Sequence, residues 1–125
     1  MNAAAVRVAQ AVSAGRLLFG VGMMVAPPAV MAKWVGDDES RRPAMDMITR
    51  SLGAREILLG FLGVHVAARE GVGKRTIGAM AFMDATDLAV TLAHRNSLPK
   101  AAVPIMVGVA GGAVAGQLWA ASELD

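Results

Sequence analysis

Cysteine and tyrosine are missing from the 125 residues, and the other ring-bearing side chains are few: three phenylalanines, two tryptophans and two histidines. Without cysteine there is no disulfide scaffold, no thiolate metal site, no iron–sulfur cluster and no cysteine nucleophile. His65 and His94 would need carboxylates to complete a zinc site. Charge is also scarce, at 18% of residues against about 25% in an ordinary soluble domain. The 12 Lys/Arg exceed the 10 Asp/Glu by only two and are spread along the chain. With so few aromatics they form neither a basic stripe nor a stacking platform, which excludes nucleic acid as a partner. What remains is apolar: 55% of residues are hydrophobic and the mean hydropathy is +0.51. Such a chain has too little polar material to cover a soluble globule, and it is far from the composition of a disordered one.

The apolar residues fall into four blocks with charged or Gly/Pro punctuation between them. Sixteen residues from Leu17 to Ala32 carry no charge, and neither do the twenty-two from Ala101 to Ser122. Ala44 to Ala68 and Thr76 to Ala93 lie between them. A helix that crosses a bilayer core needs about 20 mostly apolar residues, so the last block qualifies alone. The first qualifies if its helix starts near Ala3 and includes Arg7 and Arg16. Pro27-Pro28 should end or sharply kink that helix. Asp37 to Arg42 reads as a soluble loop, and Pro43 suits the first turn of the next helix. Gly71-Val72-Gly73-Lys74-Arg75 and Asn96 to Lys100 read as tight connections that force antiparallel neighbours. The expectation is one all-α domain over 1–125, a four-helix up-down-up-down transmembrane bundle with helices at about 4–32, 44–68, 75–94 and 99–122.

A soluble bundle would show a polar face on each helix, yet Gln117 is the only polar side chain of the fourth block before Ser122. A signal peptide over the first 32 residues would need an unusually long n-region. The location expected is therefore the bacterial cytoplasmic membrane. Its orientation is undetermined, because four basic residues flank one side (Arg7, Arg69, Lys74, Arg75) and five the other (Lys33, Arg41, Arg42, Arg95, Lys100). Trp34 and Trp119 sit where interfacial anchors belong.

Six charged residues lie in or near the apolar blocks: Arg16, Arg50, Arg55, Glu56, Asp84 and Asp87. They sum to zero, the expected outcome if they face one another rather than lipid. A rise of about 1.5 Å per residue puts Glu56 and Asp84 at similar depth, near the midplane. Asp84, Asp87, Thr91 and His94 form one stripe, Thr49, Gly53, Glu56, Gly60 and Gly63 another, and Ser13, Arg16 and Gly20 a third. These stripes predict a midplane cavity. Glu56, Asp84 and Asp87 are its candidate catalytic acid/base groups; Arg16, Arg55, Met80 and Thr91 are ligand-binding, with Met23, Met24 and Met83 as further adaptable walls. Two carboxylates one turn apart near arginines, in low dielectric, hold protons unequally, which supplies a general acid and a general base. The alternative is an ion-pair network that only fixes helix register. Asp84-x-x-Asp87 has no second acidic motif beside it, so no metal and no cofactor are expected. Gly108, Gly112 and Gly116 repeat every four residues and make a helix-packing face, either within the chain or against a second copy or a partner membrane subunit.

The run Arg50-Ser51-Leu52-Gly53-Ala54-Arg55-Glu56-Ile57-Leu58-Leu59-Gly60, followed by Asp84-Ala85-Thr86-Asp87, resembles a set of small four-helix membrane proteins common in actinobacteria that carry a domain of unknown function. The resemblance implies the fold and the membrane location, and brings no activity. The small multidrug-resistance transporters share the length and helix count, but their membrane-embedded glutamate lies in the first helix, where this chain has Arg16 and no carboxylate. Three functional expectations follow. One is a pocket for a small lipophilic, lipid- or isoprenoid-like molecule, with or without acid/base chemistry such as epoxide opening, isomerisation or cyclisation. The others are an accessory subunit of a membrane complex and a dimeric proton-linked transporter.

Overall fold

The computed structural model describes residues 2–125, and every regular element among them is helical. Asn2 caps α1 (Ala3–Val25) by accepting hydrogen bonds from the backbone N–H groups of Ala4 and Ala5 at 3.0 and 3.3 Å. α1 stops at Ala26 because Pro27 and Pro28 offer no backbone donor. A separate helix, α2 (Pro27–Val35), begins with those prolines in its first turn. The single helix expected over 4–32 is thus divided, and α2 turns Trp34 back towards the other helices. Gly36, at φ 96°, ends α2. The stretch expected as loop holds a one-turn helix, α3 (Asp37–Ser40), before α4 (Pro43–Val66) starts with its proline in the first turn. α5 (Val72–Ala93) follows a turn at Gly71, φ 73°. A short 3-10 turn at Arg95–Ser97 then leads to α6 (Ala102–Glu123).

α1, α5 and α6 are each long and apolar enough to cross a membrane. α4 is of similar length but carries Asp46, Arg50, Arg55 and Glu56, and falls outside that set. Large apolar side chains are exposed along all four long helices, among them Leu18, Leu58, Phe82 and Val109. Such a surface suits lipid and would be a liability in water.

The closest packing joins α1 to α4. A Cβ at Gly20 would stand 2.7 Å from the Gly53 carbonyl oxygen, and one at Gly60 would stand 2.6 Å from the Leu17 nitrogen and the Ser13 oxygen. No side chain fits at these positions, so glycine is what brings the backbones together. Rising numbers in α1 meet falling numbers in α4, so the two run antiparallel. α5 lies mainly against α6. At the end where α1 begins and α6 finishes, Ala5, Ala9, Ala67, Ile77, Met80, Ala120 and Leu124 form a dry core. Asn2 Nδ2 donates to Glu123 Oε2 at 3.2 Å and the Gly71 N–H to the Asp125 carbonyl at 2.8 Å, closing the same end.

Candidate functional site

Arg16 is thirteen residues into α1, Glu56 thirteen into α4 and Asp84 twelve into α5. At about 1.5 Å per residue each stands roughly 18–20 Å from the start of its helix. Their side chains meet there. Arg16 Nη1 donates to both oxygens of Glu56, at 3.0 and 2.9 Å, and Nη2 donates to Asp84 Oδ2 at 2.6 Å. The arginine is only 7% exposed, so this is an ion triad held largely away from solvent. From α6, Gln117 Nε2 donates to the same Asp84 oxygen at 2.6 Å and to the Ala113 carbonyl at 2.9 Å. Three buried polar atoms have no partner among the described residues: Arg16 Nε, Thr49 Oγ1 and Gln117 Oε1.

Beside the triad lies a cleft of about 490 Å³. Arg16, Glu56, Asp84 and Asp87 form its polar part, while Phe19, Met23, Trp34, Leu52, Met106 and Val109 supply much of its apolar wall. Phe19 and Val109 are exposed and lie well inside α1 and α6, so the space opens along the sides of the helices and not at their ends. Gly15 and Gly112 border the same gap, and a Cβ on either would meet nothing within 4 Å. A second space of about 320 Å³ shares Phe19, Trp34, Met106 and Val109 with the first and continues beneath α2 towards Lys33.

The expected site residues divide between this cleft and other places. Arg16, Glu56, Asp84 and Asp87 converge on it. Asp87 differs from Glu56 and Asp84 in being exposed, and among the described residues no hydrogen bond or ion pair engages its carboxylate; its backbone carbonyl accepts from Thr91 Oγ1 at 2.8 Å. Met80 is not a wall of the cleft. It is buried in the dry core, with its methyl group near Gly63. Thr91 is buried and accepts a hydrogen bond from Trp34 Nε1 at 3.1 Å, so it holds α2 in place and has no free hydroxyl for a ligand. Arg55 is exposed and outside the cluster, because one residue along a helix is a turn of about 100° away from Glu56. Arg50 pairs with Asp46 at 3.0 Å and donates to the Met24 carbonyl at 2.5 Å. The six charges therefore do not all face one another: Arg16 meets Glu56 and Asp84, while Asp87 lines the same cleft without an ion pair among the described residues. Met23 lines the cleft, and Met83 is partly exposed.

Gly108 and Gly112 face open space within the chain, and Gly116 touches Val8 and Val12 loosely, at 3.7 Å from a would-be Cβ. His65 and His94 each bond a carbonyl four residues back in the same helix. Among the described residues, no group of three or more His, Cys, Asp and Glu is placed to hold a metal ion. Trp34 and Gln117 belong to the site although periodicity gave them no part. The one signal for Gln117 was its isolation as a polar residue in an otherwise apolar helix. No family model, no curated protein and no solved structure matches this chain.

Proposed function

We propose that the protein is an integral membrane protein of a bacterial cytoplasmic membrane, a four-helix up-down-up-down bundle whose lateral cleft receives a small lipophilic molecule. The observation that carries this reading is the cleft itself. Its volume falls within the roughly 300–1,000 Å³ of ordinary ligand sites, its walls are mostly apolar, and a few polar groups gather at one place. A cavity that opens between membrane-length helices takes its ligand from the bilayer, not from water.

The charges fit that role. A carboxylate at the centre of a span costs about 2.5–3.5 kcal/mol on insertion scales. Arg16 offsets this most for Glu56 and Asp84, which it contacts, and less for the exposed Asp87, with which it makes no ion pair. Ion networks of this kind add little net stability, since desolvation consumes most of the attraction. The triad is better understood as a rigid back wall, with Asp87 one turn along α5 from Asp84 at the edge of the free space. Should the bound molecule react, Asp87 is the carboxylate with its oxygens available for proton transfer, while Glu56 and Asp84 are committed to Arg16.

Gly112→Leu tests the reading, because the new side chain enters open space and narrows the cleft. Purified from its membrane, the native chain is expected to carry a lipophilic species, seen by mass spectrometry, that the leucine variant lacks while remaining folded. Identical lipid content in both proteins contradicts the reading.

Two observations favour a second role as a subunit of a larger assembly. Arg55 is exposed about 18 Å along α4 from Pro43 with no partner among the described residues, and the Gly108–Gly112 stripe is uncovered. A neighbouring chain that brings a carboxylate and a helix face would satisfy both. Chemical crosslinking in native membranes, compared with Gly108→Leu, tests it: loss of a specific adduct supports the role, and the absence of any adduct contradicts it.

A further inference from the structure

We propose that the molecule this cleft accepts is a lipophilic amine, bound as its ammonium ion with Asp87 as counter-ion. The assignment rests on the cleft reading above and names the chemistry of its occupant.

The first argument is charge. One cation, Arg16, faces three carboxylates in the cleft, and both of its terminal nitrogens are engaged by Glu56 and Asp84. Nothing from α1, α2, α4 or α6 brings a second cation to Asp87; Gln117, from α6, is neutral and binds Asp84. Lys33 of α2 lines only the adjoining space. The occupant that completes this set is positive.

The second argument is hydrogen bonding. Glu56 and Asp84 already accept from Arg16 and Gln117. Both oxygens of Asp87, an exposed residue on the cleft wall, accept from nothing among the described residues. At Asp87 the open positions are acceptors, so the complementary head group there carries N–H donors, as an ammonium does.

Shape supplies the third argument and fixes the direction of binding. From Asp87 the cleft runs on between Phe19, Trp34, Met106 and Val109 into the second space beneath α2. An apolar body follows that path while the head stays at Asp87. The reverse pose would set a cation against Lys33, and an anionic amphiphile would meet the three carboxylates that line the cleft.

The test uses the full chain in phosphatidylcholine nanodiscs with three ten-carbon probes, decylamine, 1-decanol and decanoate. The readout is Trp34 fluorescence in a Trp119→Phe background. Decylamine, protonated at pH 7, is expected to bind at least tenfold more tightly than 1-decanol, and decanoate more weakly than either. Asp87→Asn should lower decylamine to the level of 1-decanol without changing 1-decanol itself, and Asp87→Glu should keep the preference. Equal affinities for the three probes, with binding still blocked by Gly112→Leu, overturn the amine assignment and leave the cleft reading standing. No response to any probe overturns both. A retained preference in Asp87→Asn overturns the assignment, as does a change of oligomeric state in that variant, which would make Asp87 a contact with another chain.

Discussion

Glycines at helical spacing occur in two seams of this protein and serve opposite ends. Between α1 and α4, Gly20, Gly53 and Gly60 press backbone against backbone so closely that no Cβ could be inserted. Across the α1–α6 gap, Gly15 and Gly112 stand with nothing within 4 Å of the place a Cβ would occupy. The same absent side chain closes one seam and hollows the other. What decides the outcome is the partner: α1 meets α4 with small residues and carbonyls over most of its length. Against α6 it packs through Ala5, Ala9 and Ala120, and loosely through Val8 and Val12 at Gly116, before the cleft begins. Close backbone approach is therefore a property of a pair of faces, and a glycine repeat on one helix does not specify it.

The contrast breaks most severely at Gly60→Leu. The added atoms collide with the α1 backbone, which cannot rotate away, so the destabilisation should exceed the roughly 1–3 kcal/mol of ordinary overpacking and leave little folded protein on size-exclusion chromatography. Arg16→Met comes next, at about 3–5 kcal/mol, because two carboxylates are left without their cation at membrane depth. Unfolding by denaturant in detergent measures this, and adding Glu56→Gln and Asp84→Asn to the same chain should recover a large part of the loss. Gln117→Leu removes one donor from Asp84 and should cost about 1–3 kcal/mol by the same assay. Gly112→Leu sits at the bottom of the series, within about 0.5 kcal/mol of the native chain, since it enters open space and replaces a poor helix former. If Gly60→Leu and Gly112→Leu were equally damaging, the two seams would not differ in the way described.

Much of this is legible in the sequence. The length of the apolar blocks gave the long helices, and three- and four-residue spacing placed Ser13, Arg16 and Gly20 on a face that meets Gly53, Glu56 and Gly60. Depth counted at about 1.5 Å per residue brings Glu56 and Asp84 together, and charge balance adds Arg16. Rotation about each helix axis was less accessible. Spacing tells which residues share a face but not which face turns inward, so Met80 and Thr91, expected at a ligand, are buried in packing, and Arg55 points away. Trp34 reads in the sequence as an interfacial anchor, because the break at Ala26 gives no hint of the angle at which α2 returns. Gln117 has neither charge nor a neighbour of its kind to mark it, and its role exists only through contact with Asp84.

The central claim is that the gap beside the Arg16 triad is open to molecules dissolved in the bilayer while the α1–α4 seam is closed. Photolabelling with a small apolar aryl diazirine in nanodiscs, followed by peptide mapping, tests it most directly. The account predicts label on Asp87 and on Met106 and Val109 of α6, none on Ser13 or Gly53, and loss of the Asp87 adduct in Gly112→Leu. Label confined to outward residues such as Leu18 and Val25, with the same pattern in both proteins, would contradict it.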